Sequence, residues 1–170
     1  MAQPEFTDAI ALLKADHRTV EELFEKFEKA SSSSSKQKLC HQICVELKIH
    51  AMIEEEIFYP ALRGKIEDDT LDEAYVEHDG AKILINDLES ASPDAEFYDA
   101  KVTVLSEEIK HHVKEEEAAR EGMFVQARQT DVDLVALRDQ LLARKKELLA
   151  QEKNGGLPLA VPSAVNLVTA

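Results

Sequence analysis

A histidine is followed four residues later by a glutamate at two places in the chain. One pair is His50 and Glu54, and the other is His112 and Glu116. Because residues i and i+4 lie on one face of an α-helix, one turn apart, each pair can bind a metal ion from one side. Two such pairs that face each other predict a site for two ions.

Two further histidines lie in apolar stripes of separate predicted helices. His17 falls between Leu13 and Val20, and His78 occupies a similar stripe. Either one alone is typical of a hydrogen-bonded core histidine. In antiparallel helices that rise about 1.5 Å per residue, however, all four inward histidines come near one level. The predicted metal ligands are His17, His50, Glu54, His78, His112 and Glu116, and no catalytic or other cofactor-binding residue is assigned.

Helical spacing distinguishes the two adjacent histidines, His111 and His112. His112 continues the apolar stripe of Leu105 and Ile109, whereas His111 is flanked at helical spacing by glutamates such as Glu115. The pattern therefore predicts that His112 points inward and His111 points outward.

Buried carboxylates are costly unless they are paired or coordinate a cation. Two divalent cations would satisfy the two glutamates and the four imidazoles together. Nitrogen and oxygen donors without thiolate favour iron or manganese over zinc. A bundle that buries the same histidine–glutamate pairs without metal is the alternative.

The elements that must position these residues are amphipathic helices, recognisable from apolar residues at three- and four-residue spacing. The fold class predicted is all-α: an up-down-up-down four-helix bundle with an additional C-terminal helix and a tail. Residues 1–128 form the bundle, 129–154 the additional helix packed on or near it, and 155–170 a flexible tail, ordered only where contacts hold it. The first predicted helix runs from a cap at Thr7 or Asp8 to Lys29, and a flexible loop at Ser31–Ser35 follows it. The second runs from Lys36 to Leu62, where Pro60 causes a kink or a loose final turn, and the third from a cap at Asp69 or Thr70 to Ser90. The fourth starts at Ser92-Pro93, and the fifth runs from a cap at Thr130-Asp131 to Lys153.

Composition narrows the class of function. The 170 residues carry a net charge of −14, which argues against nucleic acid and anionic membrane surfaces as partners. No apolar run reaches the ~18–20 residues needed to span a bilayer, and no signal-peptide pattern opens the chain. Cys40 and Cys44, one helical turn apart, are predicted to be reduced thiols. These features predict a cytoplasmic protein.

The sequence resembles the hemerythrin-like, or HHE cation-binding, domain family over residues 6–128. The resemblance rests on the six candidate ligands and their surroundings: Asp16-His17, Glu54-Glu55-Glu56-Ile-Phe-Tyr-Pro60, and His111-His112-Val-Lys-Glu-Glu-Glu117. It implies a four-helix bundle around a non-haem, oxo- or hydroxo-bridged di-iron centre, in which Glu54 and Glu116 bridge the two irons. Another divalent metal remains an alternative.

Two departures from the oxygen-carrying hemerythrins bear on function. Those proteins have two histidines spaced His-x-x-x-His on the third helix, whereas here Lys82 follows His78 by four. They also place an aspartate five residues after the histidine of the fourth helix, where this chain has Glu117. One fewer imidazole leaves a more open site, which favours redox turnover or loss of metal over stable oxygen carriage.

The predicted function is that of a non-haem di-iron protein that binds or reacts with O₂, peroxide or nitric oxide in oxygen, iron or redox handling or sensing. One alternative is an enzyme-like activity that decomposes peroxide or oxidises iron. Another is a metal-dependent sensor or interaction module that contacts a protein partner, or a second copy of the chain, through the C-terminal helix. The sequence leaves the choice between binding protein and enzyme open.

Overall fold

The computed structural model describes residues 5–168, and within them the protein consists of helices, turns and extended segments without a β-strand. This confirms the all-α prediction. The helices are α1 (Ala9–Lys29), α2 (Ser33–Ile53), a π-helical turn (Glu54–Phe58), α3 (Tyr59–Leu62), α4 (Asp68–Ser90), α5 (Tyr98–Glu117), α6 (Met123–Arg128) and α7 (Leu134–Lys153).

The four long helices α1, α2, α4 and α5 close into a bundle. Helix α1 packs on α2, α2 on α4, α4 on α5, and α5 returns to α1. Each helix therefore offers one face to a shared interior, as the apolar stripes predicted.

Polar caps set the starts of the first two helices. Asp8 caps α1 by accepting a 2.9 Å hydrogen bond from the backbone N–H of Ala11. The prediction of a flexible loop at Ser31–Ser35 is wrong, because Ser32 caps α2 by accepting from the N–H of Ser35 and the helix begins at Ser33. Serine is among the preferred N-cap residues, so Ser32 starts α2 and the residues from Ser33 onward are helical.

The start of α5 also differs from the prediction. Residues 93–97 form turns, and the helix begins only at Tyr98. Phe97 has a left-handed backbone (φ +65°) and is mostly exposed, while Tyr98 is buried against Phe27. The left-handed residue interrupts any helix begun at Pro93 and turns the chain so that Tyr98 enters the core.

The second long helix continues to Leu62 as predicted, but it widens before Pro60. In the π-helical turn the backbone N–H of Tyr59 donates to the carbonyl of Glu54, five residues earlier. This is the loosened turn that Pro60 predicted, since proline cannot donate to the helical ladder. The π-helical turn contains one residue more than an α-helical turn. Tyr59 therefore lies on the same side of the helix as Glu54 and faces the interior of the bundle.

The segment after the bundle folds back over it. The short α6 was not predicted, and α7 begins at Leu134 with Asp133 as its cap, later than the predicted Thr130-Asp131. Helix α7 packs on α1, α2 and the π-helical turn, and its Leu141 and Leu148 are fully buried. Beyond it, Ala160 exchanges two backbone hydrogen bonds with the side chain of Asn86. The tail therefore lies along α4 where such contacts hold it.

Two apolar clusters fill the interior. One joins the N-terminal half of α1 to the later part of α2, the start of α4, and α3, α6 and α7. The other joins the C-terminal half of α1 to the earlier part of α2, the later part of α4, and α5. His17 lies on α1 between Leu13 of the first cluster and Val20 of the second. The candidate ligands therefore occupy a polar layer between two apolar ones. None of the helices described is long and apolar enough to cross a membrane.

Candidate metal centre

The six predicted ligands converge in the middle of the bundle. None of them exposes more than 8% of its surface, and Glu54 exposes none. Each of the four histidines comes from a different long helix of the bundle. Two groups of donor atoms form, each lying within 4.8 Å of one another: His17, His50, Glu54 and Glu116 in one, and Glu54, His78 and His112 in the other.

The first group is built around two facing Nε2 atoms. Those of His17 and His50 are 3.1 Å apart. The Nε2 atom of His50 lies 3.2 Å from Oε1 of Glu54, and that of His17 lies 3.3 Å from Oε2 of Glu116. One histidine pair thus meets one oxygen from each glutamate.

The second group has a similar arrangement, and the other oxygen of Glu116 adjoins it. The Nε2 atoms of His78 and His112 are also 3.1 Å apart. The Nε2 atom of His78 lies 3.2 Å from Oε2 of Glu54, and that of His112 lies 3.5 Å from Oε1 of Glu116. Each glutamate therefore divides its two oxygens between the two histidine pairs.

These donor atoms fit a pair of metal ions. Bonds from first-row metals to nitrogen and oxygen are about 2.0–2.2 Å long, so adjacent ligand atoms lie about 3 Å apart. The buried oxygens Oε1 of Glu54 and Oε2 of Glu116 have no hydrogen-bond partner among the described residues. Unpaired buried carboxylate oxygens are costly. A cation in the first group would satisfy both.

A second set of carboxylates orients the imidazoles from behind. The Nδ1 atom of each histidine lies at hydrogen-bonding distance from a carboxylate oxygen. This arrangement places a hydrogen on Nδ1 and directs the Nε2 lone pair into the centre, as in many metal sites. The four pairs are His17 with Glu117 (2.7 Å), His50 with Asp16 (3.4 Å), His78 with Glu55 (2.9 Å) and His112 with Glu77 (2.6 Å).

These four hydrogen bonds form a closed ring around the bundle. Asp16 on α1 binds the histidine of α2, and Glu55, just after α2, binds that of α4. Glu77 on α4 binds the histidine of α5, and Glu117 on α5 binds that of α1. Each carboxylate is adjacent in sequence to one candidate ligand but supports the histidine of the next helix.

Burial and charge act in opposite directions on the histidine pKa values. Burial alone would lower the pKa of His78, but hydrogen bonds to Glu54 and Glu55 raise it to about 9. Burial also opposes protonation of His50, yet the Glu54 charge and the Asp16 hydrogen bond raise its pKa well above the usual value. In return, the histidines hold the pKa of Glu54 well below its usual range despite burial. The carboxylates that raise these histidine pKa values are the groups that bound cations would neutralise.

Tyr59 completes the second group. Its hydroxyl lies 2.8 Å from Oε1 of Glu116 and 3.0 Å from Oε2 of Glu54, and 3.3 Å from Nε2 of His78. Burial, followed by the two nearby carboxylates, raises the pKa of Tyr59 well above its usual value. The phenol is therefore a neutral hydrogen-bond donor at the candidate site.

Tyr59 lies in the stretch that resembles the family, but the sequence predicted no role for it. The supporting roles of Asp16, Glu55 and Glu77 were not predicted, and Glu117 was noted only as the residue in place of the hemerythrin aspartate. Their position directly beside a candidate ligand was the available signal. The sequence alone does not show which helix each carboxylate will face.

The predicted choice between His111 and His112 is confirmed. The His112 side chain is 4% exposed, whereas that of His111 is 64% exposed. His41 is similarly exposed, and Cys40 and Cys44 are free, buried thiols away from the candidate ligands. The candidate centre therefore has nitrogen and oxygen donors only.

The chain is similar to a known family of cation-binding domains. Residues 8–123, more than half of the chain, match the family model described as the hemerythrin HHE cation-binding domain. This chain belongs to the hemerythrin HHE cation-binding domain family. The family and the buried histidine–glutamate cluster together support metal binding.

A solved relative shares the fold. It is the crystal structure of a hemerythrin HHE cation-binding domain-containing protein from Mycobacterium kansasii, a homologue of Rv2633c. The match has a TM-score of 0.72 and 21% sequence identity, and it covers 89% of this chain and 96% of the other. The hemerythrin-like bundle is thereby confirmed.

A curated relative has a different description. A protein of Nostoc sp. named a DNA nickase is 29% identical over 107 residues. The match covers 63% of this chain but only 30% of that relative. Because the chain spans less than a third of the relative, the nicking activity is a property of that longer protein.

Proposed function

We propose that this hemerythrin HHE-domain protein holds a carboxylate-bridged pair of iron ions and uses it to bind or react with O₂ or a related small molecule such as peroxide or nitric oxide. The observation that carries the proposal is the division of each glutamate between two histidine pairs. Glu54 places one oxygen near His50 and the other near His78, both at 3.2 Å. A carboxylate that faces two nitrogen-rich positions is suited to bridging two ions.

The donor set supports iron over zinc. Four imidazoles and two carboxylates without a thiolate suit five- or six-coordinate ions, whereas structural zinc usually closes with four ligands that include cysteine. Manganese has similar preferences, so another divalent metal is the alternative within the same proposal. Two bound irons would supply the electrons that reduction of O₂ or peroxide requires.

The chain's own residues would prepare this chemistry in three ways. Glu117 and Glu77 fix the orientation of the imidazoles of His17 and His112 through Nδ1. The apolar clusters on either side limit access of water to the centre. Tyr59 holds a proton within 3.0 Å of both bridging carboxylates.

A specific observation favours an enzyme-like alternative, in which the centre decomposes peroxide or oxidises ferrous iron. Helix α4 contributes one histidine, since Lys82 takes the place of a second and pairs with Glu55 and Asp79 instead of entering the centre. The Tyr59 phenol lies 3.3 Å from His78 on the same side. A metal pair held here would have one imidazole ligand fewer and a hydrogen-bond-donating phenol close by, which suits turnover better than stable carriage.

Metal analysis with matched variants tests the proposal. Protein purified without chelator and loaded with ferrous iron anaerobically should contain about two irons per chain. Glu116→Gln should reduce this content clearly, whereas Glu115→Gln, at an exposed position on the same helix, should leave it unchanged. His112→Ala and His111→Ala form a second pair with the same expectation. Equal iron content in all four variants would refute the site.

Spectra of the reduced protein after exposure to air then separate the two activities. A visible band that appears in air and disappears under vacuum supports reversible O₂ binding. Irreversible oxidation, together with peroxide consumption faster than that of free iron, supports the enzyme-like alternative. A folded protein that takes up no iron, manganese or zinc would refute both.

A further inference from the structure

An apolar cavity adjoins the candidate metal centre. It has a volume of about 220 Å³ and reaches from the four histidines to the tail. Its wall below the histidines consists of aliphatic side chains from all four bundle helices. They are Val20, Leu47, Ala81, Ile85, Ile109 and Val113.

The two lysines of the cavity wall, Lys48 and Lys82, are already paired with carboxylates. Lys48 is buried, and its ammonium group binds both oxygens of Glu89 at 2.9–3.0 Å. The ammonium of Lys82 lies 2.8 Å from Glu55 and 3.1 Å from Asp79. Because both lysines already have anionic partners, the cavity is suited to a neutral occupant.

The tail supplies the outer wall. Residues 158–161 line the cavity, and the side chain of Asn86 fixes Ala160 by accepting from its N–H and donating to its carbonyl, at 2.9 and 2.8 Å. The fully buried carboxylate of Asp79 accepts hydrogen bonds from three consecutive backbone N–H groups, those of residues 163–165, at 2.7–2.8 Å. These polar contacts hold an otherwise extended segment over the cavity.

The size of the cavity indicates the class of molecule. An empty apolar cavity of about 150 Å³ stays dry and accepts benzene or xenon. A cavity of 220 Å³ is larger than this, so it accommodates a neutral molecule of roughly ten non-hydrogen atoms. Two diatomic molecules would leave most of that space unfilled.

We propose that this cavity is a binding site for a small, neutral, apolar organic molecule, held between the aliphatic layer, the histidines and the tail. The inference deepens the proposed function, because it places an organic ligand beside the metal pair. It depends on the proposed function only for that neighbour, since the aliphatic wall and the tail are present without metal.

Toluene is a suitable probe for both the metal-free and the metal-loaded full-length chain. Saturation-transfer NMR should show toluene binding, and nuclear Overhauser contacts should connect the probe to the methyl groups of Ile85, Ile109 and Val113. Ala81→Leu fills part of the cavity and should weaken binding about tenfold or more, the effect of losing about 1.4 kcal/mol. Ala143→Leu adds the same atoms at an exposed position of α7 and should leave binding unchanged.

The methyl contacts keep the test valid if Ala81→Leu folds poorly, because they locate the probe in the unaltered protein. Absence of toluene binding to the folded chain would overturn the proposal, as would contacts confined to methyl groups elsewhere. Uptake of xenon without toluene would also overturn it, since the cavity would then accept only gas-sized molecules.

Iron content measured on the same samples separates this inference from the proposed function. Two irons per chain without toluene binding would refute the organic ligand alone. Toluene binding to a chain that takes up no metal would support the cavity site and refute the metal centre.

Discussion

The Tyr59 hydroxyl lies 3.0 Å from Oε2 of Glu54, five residues earlier in the chain. In a regular α-helix residues four apart share a face, so a spacing of five needs the π-helical turn at Glu54–Phe58. The widened turn thereby brings a phenol and a candidate bridging carboxylate to one point. Such turns often occur at functional sites.

Replacement of Tyr59 by phenylalanine should destabilise the metal-free protein. The change removes a buried donor shared by Glu54 and Glu116 and should cost about 1–3 kcal/mol of unfolding free energy. The iron content should remain near two per chain, because the six predicted ligands are intact. Urea denaturation with chelator and metal analysis measure the two quantities. Unchanged stability of the metal-free variant would contradict the role assigned to the phenol.

Replacement of Glu77 by alanine should weaken metal binding without removing a ligand. Glu77 holds Nδ1 of His112 at 2.6 Å, and loss of such a partner typically reduces metal affinity about 10–100-fold. Glu73→Ala, at an exposed position one turn earlier on α4, is the matched control. Competition with a chromophoric chelator measures both affinities. If the two variants bind metal equally well, the ring of carboxylates does not tune the site.

The stability of the metal-free protein should fall as the pH rises above neutrality. The folded-state pKa of His78 is about 9, against 6.5 for a free histidine, because its hydrogen bonds to Glu54 and Glu55 outweigh burial. A raised pKa gives stabilisation that is complete below pH 6.5 and is lost as the pH approaches 9, worth up to about 3 kcal/mol for one such group. Denaturation at pH 6, 7.5 and 9 tests the trend.

Metal loading provides the control for this pH dependence. Metal-bound imidazoles no longer take up protons at Nε2, so the decline between pH 6.5 and 9 should shrink or disappear. A metal-free protein whose stability is constant over that range would show that the pKa of His78 is not raised in the folded state.

Two glycine-to-alanine changes should have opposite effects. Gly80 lies inside α4, and a Cβ atom there would meet only a Glu108 carboxylate oxygen, at 3.8 Å. Gly80→Ala should therefore raise the unfolding free energy by about 0.5–1 kcal/mol. A Cβ atom on Gly122 would lie 2.5 Å from the carbonyl oxygen of Ala118 and 2.8 Å from that of Glu116. Gly122→Ala should destabilise the fold, and denaturation curves that move in the same direction would disprove this contrast.

Much of the site was predictable because helical periodicity acts locally. The spacing of His112 and Glu116 places them on one face in any α-helix, and the apolar stripe shows which face enters the core. The choice of His112 over His111 followed from that stripe alone. The boundaries were less predictable: Ser32 caps a helix where a loop was expected, and Phe97 delays the start of α5.

Sequence alone determined the helical class, the six inward-facing candidate ligands and the nitrogen- and oxygen-only donor set, because each depends on residue type and on the period of a single helix. Only the tertiary structure decided that Asp16 supports the histidine of α2, that Glu77 supports that of α5, and that Tyr59 enters the centre through a π-helical turn. It also decided that the tail is held by Asp79 over an apolar cavity. These relationships join residues far apart in the chain, and their geometry depends on how the helices are rotated and displaced against one another, which no local pattern specifies.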